Sequence, residues 1–503
     1  MNMKLRTIIY TLAIAGLTQS CEKQLDIPPR TQLDANGALS TRTGMDAAVN
    51  SVYSVLKGLG QYGRDQFSVT DALADIAFAN GRSNRLINEN RNQNLANVAN
   101  WGSSYSAINE INLNLDAIPA IKDATNDIKQ RWIGELSFLR ALLYFDLVRN
   151  YAYIPTYVVD AQNRGGVVLN LKGFNSAADA VAFKPARASI ADCYNQIMTD
   201  LYTAINNLTV ANRGRNYASR HAALALGSRV SLYAGQWVRA DSFATAAITL
   251  TGGIGSMTNT SNYVAGWRVA DHPEGIFQVW YATLAENLGV NESLAATHTT
   301  LSAPGALNSP RQGQGDLVPN FFLLTQLGIT GVPTNLVGPA ATPPTLTYSS
   351  DIRNRLYEWG VNAAGRYVEC TKWLGKNGNP NWDNTVVIRW PELYLNRAEA
   401  RYQRGDIAGA QADLNFIRTA RYVGFTPPAT PETGAALLAE ILRQRMLEYA
   451  FEGHRWYDLK RYGATITKTN PVVNMPATDF RLLPRIPLNE VEGNPNMQQN
   501  FGY

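Results

Sequence analysis

The sequence predicts a mainly α fold, in which tetratricopeptide-like helix pairs form a scaffold that carries one large, irregular, loop-rich insertion. Three observations lead there. Apolar residues recur at helical spacing through much of residues 34–250 and again from 386 onward. Small residues such as Ala222, Ala223, Ala225, Gly227 and Ala234 punctuate the helical text and allow close helix approach. Between these stretches, residues 251–385 become rich in Gly, Pro, Asn and Thr and lose the helical period.

The N-terminus is a targeting segment. Lys4 and Arg6 precede an apolar core at residues 8–17, followed by Thr18, Gln19, Ser20 and Cys21. That core is too short to cross a bilayer, which takes about 20 residues. Residues 1–20 therefore read as a signal peptide, and the cysteine directly after Ser20 resembles a lipoprotein box in which Cys21 becomes the acylated first residue. Several acyl chains hold a protein stably on a membrane where one does not.

Of the formal charge of +5, Lys4 and Arg6 supply two and leave with the signal peptide. The remaining Lys and Arg are scattered, which argues against a nucleic-acid-binding stripe. Apolar and charged fractions of 45% and 17% are those of a folded, water-soluble body. The other cysteines, Cys193 and Cys370, have no spacing that demands a bridge and are expected free and buried.

Taken in order, residues 34–56 read as an amphipathic helix through Met45, Ala48, Val52 and Leu56. Residues 58–100 are rich in Gly, Asn and Arg, so they read as surface loops around a short apolar run at 72–78. Helices follow at 101–118 and 127–151, the second with Trp132, Leu139, Leu143 and Leu147 in one stripe and Pro155 beyond its end. Residues 189–208 and 220–250 read as helix, loop, helix, turn, helix. In the insertion, residues 275–281 look like a strand and 331–347 are rich in Pro and Thr. At 391–420 the helical grammar returns: Pro391 opens a helix, Gly405 stops it, Asp406 caps the next, and Ile407, Ala410, Leu414 and Ile417 form its buried stripe.

Residues 443–462 concentrate ions and aromatics. Leu438, Ile441, Leu442, Met446 and Tyr449 keep helical spacing, and Arg445, Glu448 and Glu452 can form an ion network along one helix face. His454 reads as a hydrogen-bonded core or cap residue. Residues 452–461 (EGHRWYDLKR) closely resemble a motif of the SusD/RagB family, the cell-surface binding lipoproteins of Bacteroidetes nutrient uptake. Residues 22–29 are similar to the usual start of the mature family members. Trp101, Tyr105, Ile108, Ile111 and Asn112 resemble an early family helix, and Asp351-Ile-Arg-Asn-Arg355 resembles the family's Asp-Pro-Arg segment with Ile for Pro. The tail at 481–503 completes a resemblance that covers nearly the whole mature chain. It implies an N-terminal SusD-like helical region at 21–250, the insertion at 251–385 and a C-terminal SusD/RagB helical region at 386–503.

No nucleophile elbow, His-Glu-x-x-His zinc motif or phosphate loop occurs, and Gly252, Gly253 and Gly255 lack the third glycine of a dinucleotide loop. No enzyme, cofactor or metal is expected. A carboxylate pair for glycoside hydrolysis is recognisable only by its separation in the fold. The resemblance implies a lipid-anchored outer-membrane protein at the cell surface that captures an oligosaccharide or polysaccharide and passes it to a SusC-like TonB-dependent transporter. Alternatives are a peptide-binding relative, a surface glycoside hydrolase, and an adaptor that contacts only the transporter. Sugar binding asks for aromatic faces with Asn, Asp and Arg beside them. The candidates are Tyr62, Asp71, Arg82 and Asn84 in the first irregular region, and Trp267, Tyr281 and Asn287 in the second.

Overall fold

The computed structural model describes residues 39–209, 213–339, 342–361, 365–376, 379–468 and 472–503. The signal peptide, Cys21 and residues 22–29 lie outside them. Helix dominates strand, 49% to 8%, as the fold class predicted from sequence requires.

The helical stack starts with α1 (Arg42–Val55), capped by the Thr41 hydroxyl, which accepts from the Gly44 N–H. A short α2 (Asp65–Leu73) and α3 (Trp101–Ala117) follow. The long α4 (Asn126–Tyr151) was expected to bury one stripe, but from Gly134 to Tyr151 every residue except Arg140 is buried. The reason is that α1, α3 and α5 (Ile190–Asn207) pack against it from several sides, which makes α4 the axis of the N-terminal part.

Next come α6 (Arg220–Tyr233) and α7 (Trp237–Thr249), packed as a pair. Gly227 shows why small residues sit in this seam: a Cβ there would lie 3.2 Å from the Phe243 ring. The pair α8 (Trp390–Gln403) and α9 (Ile407–Arg421) repeats the arrangement. Pro391 lies in the first turn of α8, Gly405 ends that helix with φ +82°, and the Asp406 carboxylate accepts from the Gly409 N–H at 2.9 Å. Ala410, Leu414 and Ile417 are buried in α9 and Ile407 is half-buried. The stack closes with α10 (Gly434–Tyr449) and α11 (Arg455–Arg461).

α7 packs directly on α8, although residues 250–389 separate them. The chain therefore leaves the stack after α7, builds an irregular layer, and rejoins at the next helix. That layer holds four two-stranded antiparallel ribbons among the described residues. They pair β1 (Ala77–Ala79) with β3 (Leu317–Pro319), β2 (Gly275–Val279) with β8 (Thr385–Arg389), β4 (Ile329–Thr330) with β5 (Thr347–Tyr348), and β6 (Tyr357–Trp359) with β7 (Val368–Cys370). Strand β1 comes from the first irregular region, so the two loop regions share a ribbon. Cys193 and Cys370 are free and buried, and burial pushes both thiols up to about 11.

Candidate functional site

The ion-rich stretch at 443–462 lies inside the protein. Glu448 receives Arg389 at 2.5 Å, Arg421 at 2.9 Å and Arg353 at 3.3 Å, while Glu452 receives Arg389 at 2.8 Å and Lys372 at 2.6 Å. Glu274 joins through Arg421 at 2.7 Å and Arg389 at 3.0 Å. The sequence suggested an ion network along one helix. Arg445 instead turns away from Glu448, to Asn396 at 2.7 Å and Asp458 at 3.3 Å, because three arginines from β8, α9 and the 351–355 segment already surround that carboxylate. Burial raises the Glu448 carboxyl, but Arg421, Arg389 and Arg353 outweigh it and hold the group well below the usual range. All of these side chains are buried.

His454 is a core residue, stacked on Tyr449 with ring centroids 4.2 Å apart. It opens α11 by its backbone: its side chain caps nothing, and Nδ1 has no hydrogen-bond partner among the described residues. Burial and nearby arginines hold it, like buried His272, well below the normal histidine range. His221 and His298 are also buried, and burial lowers them to about 4 and about 3. Neutral imidazoles shut inside the core cannot shuttle protons for a bound ligand.

The seven residues singled out from sequence separate by burial. Tyr62 is in the core and its hydroxyl donates to Asp146 at 2.7 Å. Asp71 is fully buried and accepts the Gly453 N–H at 3.1 Å, and burial raises its carboxyl well above the usual range. Trp267 is sealed beneath Trp373 and His272, with the Arg389 guanidinium 5.5 Å from its ring. Tyr62 and Asp71 tie the first irregular region to the helical scaffold, whereas Trp267 packs within the insertion and against Arg389, where the chain leaves it. Tyr281 is 5% exposed; its hydroxyl donates to the Lys57 carbonyl at 3.3 Å, and it lines a crevice with half-buried Asn287. Asn84 is exposed in a left-handed turn, φ 61°. Arg82 lies over the Tyr367 ring at 5.0 Å, while its Nη1 donates to Glu369 at 2.8 Å and its Nη2 to the Gly365 carbonyl at 3.0 Å.

Hydrogen bonds join the two irregular regions into one face. Asn80 donates to the Gly315 carbonyl at 2.5 Å, Arg85 Nε to Asp316 at 3.0 Å and Lys57 to Glu286 at 2.8 Å, and Arg64 pairs with Glu292. Arg82 lies against Gly315, where a Cβ would stand 3.1 Å from its Nη1, and contacts made by residues 311–314 and 381–382 run on toward Tyr281. Arg311 donates to the Gln314 side chain at 2.5 Å, Gln314 to Asn291 at 3.2 Å, Asn381 to the Gln312 carbonyl at 3.0 Å, and Trp382 Nε1 to the Tyr281 carbonyl at 3.0 Å. Arg82, Asn84, Tyr281 and Asn287 thus border one surface, whereas Tyr62, Asp71 and Trp267 lie beneath it.

Half-buried rings, Phe78, Tyr367 and Trp382, lie along this surface. Phe78 and Tyr367 are 6.4 Å apart. Sequence reasoning missed all three, together with Arg311, Gln314 and Asn291. No motif marks them, and Phe78 and Tyr367 meet through the β1–β3 ribbon, the packing of β3 on β7 and the Arg82–Glu369 pair. Glu369 also accepts from the Thr300 N–H at 2.6 Å and the Thr299 hydroxyl at 3.1 Å, which fixes the strand that follows Tyr367. Arg311 is exposed, and partial burial, then Arg82, lowers its guanidinium from the ordinary value. The face thus offers apolar ring surface beside amide and guanidinium donors, an arrangement suited to polyhydroxylated ligands. Among the described residues, no three His, Cys, Asp or Glu side chains are grouped to hold a metal ion.

Comparison with known proteins agrees with this architecture. The SusD family model matches residues 344–503, and a second family, described as starch-binding and associating with the outer membrane, matches residues 25–232. The chain belongs to the SusD/RagB family. The SusD-like protein P38 of Formosa agariphila is 24% identical over 99% of both chains. A SusD superfamily protein from Bacteroides thetaiotaomicron superposes with a TM-score of 0.77 at 26% identity, covering 92% of this chain and 99% of that one. A SusD-like carbohydrate binding protein from Bacteroides vulgatus shares the fold at 19% identity, with a TM-score of 0.71 over 90% and 97% of the two chains. In this SusD-family chain, the 452–461 motif is a structural signature, buried at the junction of scaffold and insertion. No helix among the described residues is long and apolar enough to cross a membrane.

Proposed function

We propose that this SusD-family protein is a lipoprotein, anchored in the outer membrane through Cys21, that binds extracellular oligosaccharide on the loop-built face and delivers it to a SusC-like TonB-dependent transporter. The observation that carries the reading is the joining of two distant irregular regions into one face with Phe78, Tyr367 and Trp382 partly open beside Arg82, Asn84, Asn287, Asn291 and Arg311. The starch-binding description of the matched family and the carbohydrate-binding neighbour support the ligand class. A few ring stacks and hydrogen bonds supply roughly 4 to 8 kcal/mol, a dissociation constant of about 1 mM to 1 μM. Tethering beside a transporter makes such an affinity useful, because it raises the local ligand concentration.

The test is to incubate the mature chain with maltohexaose, laminarihexaose, xylohexaose and mannohexaose, following both binding and reducing ends. Binding without new reducing ends is the expected result, whereas turnover would favour the glycosidase alternative. Binding of peptides but of no sugar would replace the ligand class. For the anchor, Cys21→Ala should release the protein from membranes of cells that lack the transporter, and full retention would refute lipidation.

A further inference from the structure

A second cleft lies away from the loop-built face, between the N-terminal half of α3, residues 168–185 and the C-terminal tail. Its volume is about 460 Å³, inside the range of roughly 300–1,000 Å³ typical of small-molecule sites. Trp101, Tyr105, Phe174 and Phe183 line it. The Trp101 and Tyr105 centroids are 4.8 Å apart, and those of Phe174 and Phe183 are 5.0 Å apart. Large rings are ordinarily buried, yet Phe183 is 38% exposed and Tyr105 and Phe174 are half-buried.

The walls are held by side chains that grip backbone. Tyr105 donates to the Val168 carbonyl at 2.8 Å. Asn109 clamps Phe174 twice, donating to its carbonyl at 2.9 Å and accepting its N–H at 2.7 Å. Across the cleft, Asn494 donates to the Pro185 carbonyl and Asn496 to that of Lys184, both at 2.7 Å. Polar groups remain at the rim, including exposed Ser106 and Asn489 and the half-buried Glu490.

Gly102 is an independent sign. It lines the cleft from the first turn of α3. Its φ is not left-handed, and a Cβ built on it meets nothing within 4 Å. Neither backbone conformation nor packing calls for glycine here. What its lack of a side chain preserves is open space at the cleft.

We infer that this cleft is a second carbohydrate site, in which Tyr105, Phe174 and Phe183 offer ring faces to one end of a neutral oligosaccharide and the polar rim bonds its hydroxyls. Only the ligand class rests on the function proposed above; the residues are separate, so the two readings fail separately.

The test is isothermal titration of the full mature chain with the four hexasaccharides already named. A sugar that binds should fill two classes of site. Gly102→Trp, which fills the cleft from open space, and Phe183→Ala, which removes an exposed ring, should each abolish one class and halve the occupancy. The class that remains should be the one lost in Trp382→Ala. A single class, lost in Trp382→Ala and indifferent to Gly102→Trp, overturns the second site and leaves the loop-built face standing. A single class lost in Gly102→Trp and indifferent to Trp382→Ala overturns the loop-built face and retains the cleft. If none of the sugars binds, both assignments of ligand fall.

Discussion

Arg389 grips Glu452 with two prongs, Nε to Oε2 and Nη2 to Oε1, each at 2.8 Å. The two residues come from different layers. Arg389 ends the strand by which the chain returns from its insertion, and Glu452 follows the last long helix of the scaffold. Both are 1–2% exposed. Replacing a buried pair with apolar groups of like shape can be nearly neutral, whereas removing one partner strands a buried charge at about 3–5 kcal/mol.

Arg389→Ala is therefore expected to destabilise the protein by about 3–5 kcal/mol, because Glu448, Glu452 and Glu274 all lose the same partner. Arg389→Lys should recover only part of that loss, as a lysine cannot reproduce the two-pronged geometry. Denaturant unfolding followed by circular dichroism decides it. A lysine variant as stable as the parent would show that charge alone, without the fork, holds the junction.

Glu440 supplies an acid-sensitive contact on α10. Burial raises its carboxyl, but Arg443 at 2.7 Å, Gln444 at 2.8 Å and Arg418 at 2.9 Å prevail and hold it at about 2. Its folded value is depressed below the ordinary 4.5. The stability it contributes is thus fully present above about pH 4.5 and is lost as pH falls toward about 2. Glu440→Gln should flatten the dependence of stability on pH across that window and leave its slope above about pH 5 unchanged. Unfolding curves recorded from roughly pH 2 to 6 test this. Parallel curves for parent and variant would remove Glu440 from the account.

Lys468 has an effect of the same sign in the alkaline range. Its ammonium donates to the carbonyls of Ala72, Leu73 and Ala74 at 2.8, 2.8 and 2.5 Å, closing the C-terminal end of α2. Burial pushes it down to about 7 from 10.5. Between these values the unfolded chain binds a proton that the folded chain does not, so this group's contribution makes stability rise with pH. Lys468→Met should remove that rise. It should also cost about 1–3 kcal/mol near neutrality by leaving buried carbonyls unpaired. A variant whose stability matched the parent from neutral to alkaline pH would refute both statements.

Local grammar was readable in the sequence wherever the cause is local. Pro391, Gly405 and Asp406 mark the boundaries of α8 and α9 within a single turn of chain, and the structure places each where its chemistry requires. The family motif was equally legible. What it does was not, because the partners of Glu448 are Arg353, Arg389 and Arg421, which no helical spacing relates to it. The aromatics make the same point. Trp267 and Trp382 both sit in Gly- and Asn-rich text, yet Trp373 and Arg389 cover the first, and the second stays partly open. Whether a ring faces ligand or core is decided by segments more than a hundred residues away in cases such as Trp267.

The loop-built face makes a graded prediction that depends on this distinction. Trp382→Ala and Tyr367→Ala remove partly exposed rings, and each should weaken binding of a recognised oligosaccharide at this face by roughly tenfold or more, at least about 1.4 kcal/mol, enough to take that class of site out of a titration. Tyr367→Ala also takes away the surface under the Arg82 guanidinium, so its effect should not simply add to that of Arg82→Ala. Trp267→Ala is the contrasting case: it opens a cavity under Trp373 and should cost about 3–5 kcal/mol of stability while making no direct contact with sugar. Titration calorimetry and thermal unfolding on the same four variants separate the two behaviours. If Trp382→Ala and Tyr367→Ala lost stability but kept full affinity, the open rings would be packing elements and the ligand would have to be met elsewhere.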